Sequence, residues 1–468
     1  MSDVRDIVSS MIETVSPNLE DYIQASSIFS DIVKGSEKAV QVSRYGWRHP
    51  IKLYMGGASA KVSANGGSAG VFPVGTMMNI THIVGAYFTG IRSYRIPDEA
   101  IDATSTEGQA RVRALGEQIA DAMEGQGQED DIALHTSGTG ILTNNSSAPV
   151  PAGGGTASTT LTFGSATDYL RTARLRVGMS IDIWSSDLTT KRTATQPLQI
   201  IAMDPSSGVV TLNQSVTVNN SANSPNGDVI TFVALDAYGP STPVSFQSTY
   251  PQLGASFPQY GIGGDSWRHG LPYANDVTTT NYFFSRLKST RPEFLCNRVN
   301  GNGNALDWAV GRIGQDKVTA RFGTKQDPGN LVGLANTAQF FAIENLDIAA
   351  SKIDVTGNKT TSTDLAAFQR KAGRSVSYCG VQFYLDPRMA QDRLDTFAKD
   401  CIYKIQLHPT QFVDGGDSGK NLFRVRASGG QPTSELEFYV KSAFDYAFTF
   451  PGKQFYADNL QVDSRYVS

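Results

Sequence analysis

Cysteine is scarce in this chain and poorly placed for chemistry. Cys296, Cys379 and Cys401 are odd in number, far apart and without a C-x-x-C pair. That pattern excludes a disulfide framework and a zinc site built on paired thiols. We read them as reduced thiols of a cytoplasmic product. Histidine is nearly as sparse. His49, His82, His135, His269 and His408 include no H-E-x-x-H spacing, so zinc-protease chemistry has no support. Each reads as a surface or packing residue. Long apolar runs are missing too, and no stretch approaches the roughly 18 apolar residues of a membrane helix. The opening MSDVRDIVSSMIETVSPNLEDY mixes charges with apolar residues and lacks the unbroken apolar core of a signal peptide. Charged residues make up only 18%, below the usual quarter or so. The net charge of −4 provides no overall basic footprint for tight nucleic-acid binding.

Glycine (45 residues) and aromatics (10%) are plentiful. Low charge combined with many aromatics points away from disorder. It suits a chain that hides surface in a core or against copies of itself. The 468 residues are enough for two or three domains.

Residues 1–40 read as an arm of one or two helices broken at Pro17. The arm is acidic: Asp3, Asp6, Glu13, Glu20, Asp21, Asp31 and Glu37 stand against Arg5, Lys34 and Lys38. Residues 41–96 read as a long β-hairpin. VQVSRYGWRHPIKLYM runs out to a glycine-rich tip and MMNITHIVGAYFTGIRSYRI returns. TSTEGQARVRALGEQIADAME is the clearest helix. Thr104 and Glu107 have capping-box spacing, and Val112, Leu115, Ile119 and Met123 form one apolar stripe.

TNNSSAPVPAGGGTASTT, residues 143–160, has linker composition. Beyond it, LRVGMSIDIW, PLQIIAMD, GVVTLNQSVTV and GDVITFVAL are short strand-like runs separated by turns. They predict a small all-β unit over 161–237, inserted between the parts of a host domain. NALDWAVGRIGQ predicts a helix with Asn304 as cap and Leu306, Ala309, Val310 and Ile313 on one face. SELEFYVKSAFDYAFTFPG predicts a long strand. Leu436, Phe438, Val440, Phe444, Tyr446, Phe448 and Phe450 share an apolar parity; Glu435, Glu437, Lys441, Asp445 and Thr449 take the polar one.

The catalytic motifs fail one by one. Gly66-Gly67-Ser68-Ala69-Gly70 spells G-x-S-x-G, but a nucleophile elbow needs a helix straight after the serine. The sequence there is AGVFPVGTMMNI, with Pro73 and β-branched residues. Ser285-Arg286-Leu287-Lys288 fits S-x-x-K without the companion elements of penicillin-binding enzymes. DGGDSGKN and GNGNAL miss the residues that phosphate loops require and read as turns. Glu129, Asp130 and Asp131 read as a solvated bend. No cofactor, metal or catalytic residue is assigned. A serine hydrolase using Ser68 remains the enzyme rival. A receptor- or carbohydrate-binding module at 161–237 is the binding rival.

The order of elements carries more than any motif. RYGWRHPIKLYMGGASAKVSANGGSAGVF, then AIDATSTEGQARVRALGEQIADAMEGQGQEDDIALHTSGTGIL, then SYCGVQFYLDPRM with DRLDTFAKDCIYKIQL, and finally FTFPGKQFYADNL, resemble the major capsid proteins of tailed double-stranded-DNA bacteriophages. The matching parts of that family are its extended loop, its spine helix, a late G-x-x-x-x-x-D-P segment and its closing strand with a proline turn. Encapsulin shells share the fold and are the runner-up.

The resemblance implies an α+β capsid fold: arm 1–40, extended hairpin 41–96, spine helix and start of a peripheral domain 97–145, inserted β domain 161–237, axial α/β domain 240–400, and a return to the peripheral domain over 401–468. It implies a structural, non-enzymatic virion protein. Copies would assemble into hexamers and pentamers around packaged double-stranded DNA, which they contact non-specifically. A separate scaffolding protein, a portal and decoration proteins are the implied partners, with no membrane. The subunit contacts it implies lie at the loop: Tyr54, Gly56, Gly57, Lys61, Gly66, Gly67 and Phe72. Some members crosslink Lys to Asn. Lys61 and Asn65 lie on the matching loop, but no acidic catalyst accompanies them, and crosslinking is not expected.

Overall fold

The computed structural model describes residues 41–43, 46–54, 79–85, 88–97, 124–129, 131–132, 134–135, 142, 149–150, 157–163, 174–184, 192, 198–204, 209–218, 229–232, 270–279, 282–284, 286–290, 292–322, 330–353, 375–413, 423–426 and 432–462. The arm 1–40, the glycine tip with Ser68, the capping box at Thr104 and Glu107, and the apolar stripe read from Val112 to Met123 lie outside them.

β1 (Gln41–Ser43), β2 (Gly46–Tyr54) and β3 (Asn79–Gly85) form an antiparallel sheet in chain order. β2 and β3 are the two arms of the expected hairpin, with Trp47 opposite Gly85 and Tyr54 opposite Asn79. The return arm is not one strand, however. β4 (Phe88–Pro97) leaves the hairpin and pairs along the long strand near the end of the chain, from Phe88 opposite Phe444 to Pro97 opposite Glu435.

β5 (Pro149–Val150), β6 (Ser158–Phe163), β7 (Ser180–Trp184), β8 (Leu198–Asp204), β9 (Val209–Val216) and β10 (Val229–Phe232) form a six-stranded sheet ordered β10-β7-β8-β9-β6-β5. Each strand-like run read between 175 and 235 is one of these strands. Period-two burial shows in β8, where buried Leu198 and Ile200 alternate with exposed Gln199 and Ile201. Leu161, Ile181, Ile183, Val210, Leu212 and Ile230 fill a core that Ile132 and Leu142 join from outside the sheet. Leu142 N also donates to Ile230 O at 2.9 Å, tying β10 to the preceding segment. β5 and the start of β6 occupy the stretch read as linker.

The next elements are α1 (Leu271–Ala274), the hairpin β11 (Tyr282–Phe283) and β12 (Arg286–Leu287), β13 (Asn297–Asn300), α2 (Trp308–Phe322), β14 (Leu331–Ala335), α3 (Thr337–Ile353), β15 (Ser375–Tyr378), β16 (Val381–Leu385) and β17 (Leu394–Ala398). The last four strands are β18 (Ile402–Phe412), β19 (Phe423–Arg426), β20 (Pro432–Phe448) and β21 (Phe455–Asp458). A mixed sheet runs β13-β21-β17-β14-β16-β15, with β21 parallel to β13 and β16 parallel to β14. The closing strand thus lies in the α/β sheet. It follows a 3-10 turn over Pro451–Lys453, the proline turn read in the sequence.

Two local expectations are corrected. α2 starts at Trp308, and Asp307 caps it by accepting from Val310 N at 3.1 Å. Asn304 belongs to the turn before it, donating through its backbone N to Gly301 O at 3.0 Å. The face α2 buries holds Gly311, Gly314 and Val318, while Ala309 and Ile313 are exposed. A Cβ at Gly314 would stand 2.4 Å from the Phe455 ring, and one at Gly311 2.6 Å from the Tyr378 ring. The helix lies so close to the sheet that bulky side chains do not fit between them.

The second correction concerns β20. It pairs with β18 and β19 on one side and β4 on the other. Of its expected polar parity, Glu437 and Asp445 are buried, 8% and 0% exposed, as is Thr449 just past the strand at 3%, while Lys441 is half-buried. Both faces of its second half are covered. Trp47, Ile51 and Ile83 of the hairpin share one cluster with Phe444, Tyr446 and Phe448, and with Phe283, Phe284 and Phe294.

Candidate functional site

The hairpin is held at its root by one indole. Trp47 is 1% exposed, and it lies across Gly85 on the facing strand. A Cβ on Gly85 would stand 2.3 Å from the ring, so only glycine leaves room for it. The indole Nε1 donates to Asp445 Oδ2 at 3.3 Å. This explains why a polar residue sits on the covered face of β20. Buried polar groups need partners, and Asp445 Oδ1 accepts from Tyr446 N at 2.9 Å as well.

The other side of the indole meets Phe284 edge-on, with centroids 5.0 Å apart. Phe284 occupies the β11–β12 turn at φ 48°, a left-handed conformation unusual for a bulky residue. Phe283, Tyr273 and Phe284 pack on one another with centroid distances of 4.9 to 5.7 Å. Each such pair contributes roughly 0.5–1.5 kcal/mol beyond its buried area. Trp47, Tyr273, Phe283 and Phe284 together fix where the hairpin emerges.

His49, two residues along β2, is buried and stacks at a tilt on Tyr403, centroids 5.0 Å apart. Burial lowers its pKa, and His82 adds to the effect. Arg48 donates to His82 Nδ1 at 3.1 Å. His135 Nε2 donates to Asp386 Oδ2 at 2.9 Å, and His408 is exposed. His49, His82 and His408 are packing or surface residues, as read, whereas His135 is half of a buried His–Asp pair. His269 is outside the described residues.

Of the residues read as subunit contacts, the structure places the backbone of Tyr54, at the outer end of β2. Gly56, Gly57, Lys61, Gly66, Gly67 and Phe72 lie outside the described residues. So do Ser68 and Asn65.

A second constellation was missed by the sequence reading. Glu129 pairs with Arg92 of β4 and, at 3.4 Å, with Arg176 of the small β unit. Asp131, 6% exposed, pairs with Arg388, and the buried His135–Asp386 pair lies beside it. A Cβ at Gly125 would meet Arg92 Nη1 at 2.7 Å and Arg176 Nη1 at 3.1 Å. Glu129 and Asp131 are therefore structural ions, not a solvated bend. Asp386 also accepts from Arg388 N at 2.9 Å, so one partner is two residues away while the other, His135, comes from a segment far off in sequence. Only the D-P pair of the G-x-x-x-x-x-D-P segment signals it in the sequence. Burial alone would raise the Asp386 carboxyl, but His135 and Arg388 outweigh burial and hold it below the usual carboxylate range.

Among the described residues, Lys288, Cys296 and Cys401 are buried. Lys288, the lysine of the S-x-x-K match, is 1% exposed and its ammonium donates to Asp276 Oδ2 at 2.8 Å. Burial pushes the Cys401 thiol up to about 12 and moves Cys296 further in the same direction, so both remain protonated near neutral pH. No group of three metal-ligating side chains occurs among the described residues, and no described helix is long and apolar enough to cross a membrane.

No protein-family model matches the chain, and no curated protein matches it. Among solved structures, the chain is similar to the capsid asymmetric unit of cyanophage A-1(L), at 11% identity and TM-score 0.43, over 90% of each chain. It is similar to the capsid of a native GTA particle, at 8% identity and TM-score 0.40, covering 90% of this chain and 86% of that one. It is also similar to a structure from Mycobacterium phage Bobi, at 11% identity and TM-score 0.37, covering 91% and 90%. With TM-scores below 0.5, these likenesses carry no structural argument.

Proposed function

We propose that this chain is the shell-forming subunit of a tailed bacteriophage. Copies assemble into the hexamers and pentamers of an icosahedral capsid that encloses double-stranded DNA. Assembly takes place in the host cytoplasm with a separate scaffolding protein and a portal, and decoration proteins bind the finished shell. The chain works by contact and catalyses nothing.

The observation that supports this reading is the rooted hairpin. Trp47, Gly85, Asp445 and Phe284 lock its base into the main core. From that base its arms run to the glycine-rich stretch MGGASAKVSANGGSAG. A rigid base with a conformationally permissive tip is what a subunit needs to reach its neighbours across ring positions that are not identical. The loop residues Tyr54, Gly56, Gly57, Lys61, Gly66, Gly67 and Phe72 are the proposed contacts. The six-stranded β unit is proposed as an insertion that adds surface to the subunit.

Negative-stain electron microscopy of the expressed chain, with and without its scaffold, tests the reading. Rings, tubes or closed shells are expected. Monomers under every condition would overturn it.

A further inference from the structure

The hairpin meets the body of the chain along an apolar seam. On β2, buried Trp47, His49 and Ile51 alternate with exposed Arg48 and Pro50, so three successive inward positions face the seam. Ile83 stands opposite His49 on β3, and Gly85 opposite Trp47. Of these five inward residues only His49 ionises near neutral pH. It is 9% exposed, and its ring lies against Tyr403 of β18. Tyr403 packs on the same cluster as Trp47, Ile51 and Ile83. Among the described residues, the buried Nδ1 of His49 has no hydrogen-bond partner. A neutral imidazole carries one N–H, whereas an imidazolium carries two. Protonation would therefore place a charge in the seam, together with an N–H donor that has no acceptor. Both are costly to bury.

The packed elements bring these ionisable groups. Arg48 of β2 and His82 of β3 are hydrogen-bonded to each other on the outer face. On β18, Lys404 Nζ lies 4.5 Å from the Phe444 ring centroid. Tyr403 donates its hydroxyl to Asp400 O at 2.7 Å, and Asp400 Oδ2 lies 3.1 Å from Lys453 Nζ. From β20, Asp445 accepts from Trp47 Nε1 and Tyr446 N. We propose that His49 makes the hairpin root an acid-released joint: uptake of one proton at His49 opens the seam between β2–β3 and β18 while the α/β sheet stays closed. Burial first, and His82 second, lower the His49 pKa in the closed state, so the opened state takes up the proton more readily. The closed seam is then fully stable above the ordinary imidazole value of about 6.5. It weakens as pH falls below that value, by up to tenfold per pH unit, until the closed state protonates too. The joint belongs to the single chain and goes beyond the shell reading.

Hydrogen exchange of the full-length chain, read by mass spectrometry between about pH 7.5 and pH 5.5, tests the joint. Exchange is expressed as protection factors, which divide out the intrinsic effect of pH. In the parent, protection of β2 and β3 should fall on acidification by a factor approaching tenfold, while α2 and β14 keep theirs. His49→Phe keeps a ring against Tyr403 and cannot ionise, so its hairpin protection should be flat across the same range. His49→Gln, a second non-ionising variant, covers the case in which Phe does not fit. His82→Gln should retain most of the parent's response, because burial is the larger cause of the His49 shift. A parent hairpin with no acid response would overturn the proposal. So would a response that persists in His49→Phe or His49→Gln, or one abolished by His82→Gln. Equal loss of protection in α2 and β14 would show general acid loosening and would overturn it as well.

Discussion

Replacing Gly85 with alanine is the sharpest perturbation of the hairpin root. The added Cβ would stand 2.3 Å from Trp47 Cζ2 and 2.4 Å from Cε2, inside any tolerable contact distance. Trp47 is 1% exposed and in edge contact with Phe284, so the ring has nowhere to retreat without opening the core. Overpacking of this kind costs about 1–3 kcal/mol. If the indole is expelled instead, the loss approaches the roughly 3–5 kcal/mol of a Trp truncation. It also removes the donor to Asp445, which is 0% exposed. We expect about 3 kcal/mol of destabilisation, with faster amide exchange confined first to β2 and β3. Gly303→Ala is the control. Its φ of +75° makes alanine strained there, but no atom lies within 4 Å of the new Cβ. It should cost about 1 kcal/mol and leave hairpin exchange unchanged. Urea unfolding and hydrogen exchange by mass spectrometry read both variants. A Gly85→Ala protein as stable as the parent, with unaltered protection of β2, would refute the argument.

Three further outcomes follow from the buried chemistry. Asp386 has its folded-state pKa held below its unfolded value, so its contribution is present above the unfolded pKa and lost as pH falls through the lower folded value; Asp386→Asn should be less stable at pH 7 and show a flatter loss of stability below about pH 4, measured by urea unfolding across pH. Gly314→Ala should cost about 1–3 kcal/mol, because its Cβ would stand 2.4 Å from the Phe455 ring, and the loss should appear as faster exchange in α2 and β21. With burial raising Cys401 to about 12 and Cys379 only half-buried, iodoacetamide at pH 8 should modify Cys379 first; prior labelling of Cys401 in the folded chain would contradict this order.

Much of the scaffold was legible because its signals are local. Alternating parity identified β8 and β9, and the aromatic run from Phe438 to Phe448 announced β20. The hairpin arms were equally plain, from Trp47 to Tyr54 and back from Asn79. What escaped depends on contacts between distant segments. Nothing near Asp445 in sequence says that Trp47, far away in the chain, will cover it and supply a donor. Likewise, Glu129 and Asp131 look solvated until Arg92, Arg176 and Arg388 arrive from three other segments. The α2 face was misassigned because sequence periodicity favours large apolar residues. This helix packs through Gly311 and Gly314 and leaves Ile313 outside. The split of the return arm into β3 and β4 was hidden for a similar reason. Both halves are strand-like, and only their partners, β2 and β20, distinguish them.

In the proposed shell, the glycine-rich loop between β2 and β3 makes the contact between copies. Deleting residues 56–70 removes the glycine-rich tip and leaves the Trp47–Gly85 root intact. Electron microscopy of the deletion beside the parent chain is the direct measurement. The expected result is a folded chain, with unchanged unfolding midpoint, that forms no closed shells while the parent does. Closed shells of normal size from the deletion would contradict it.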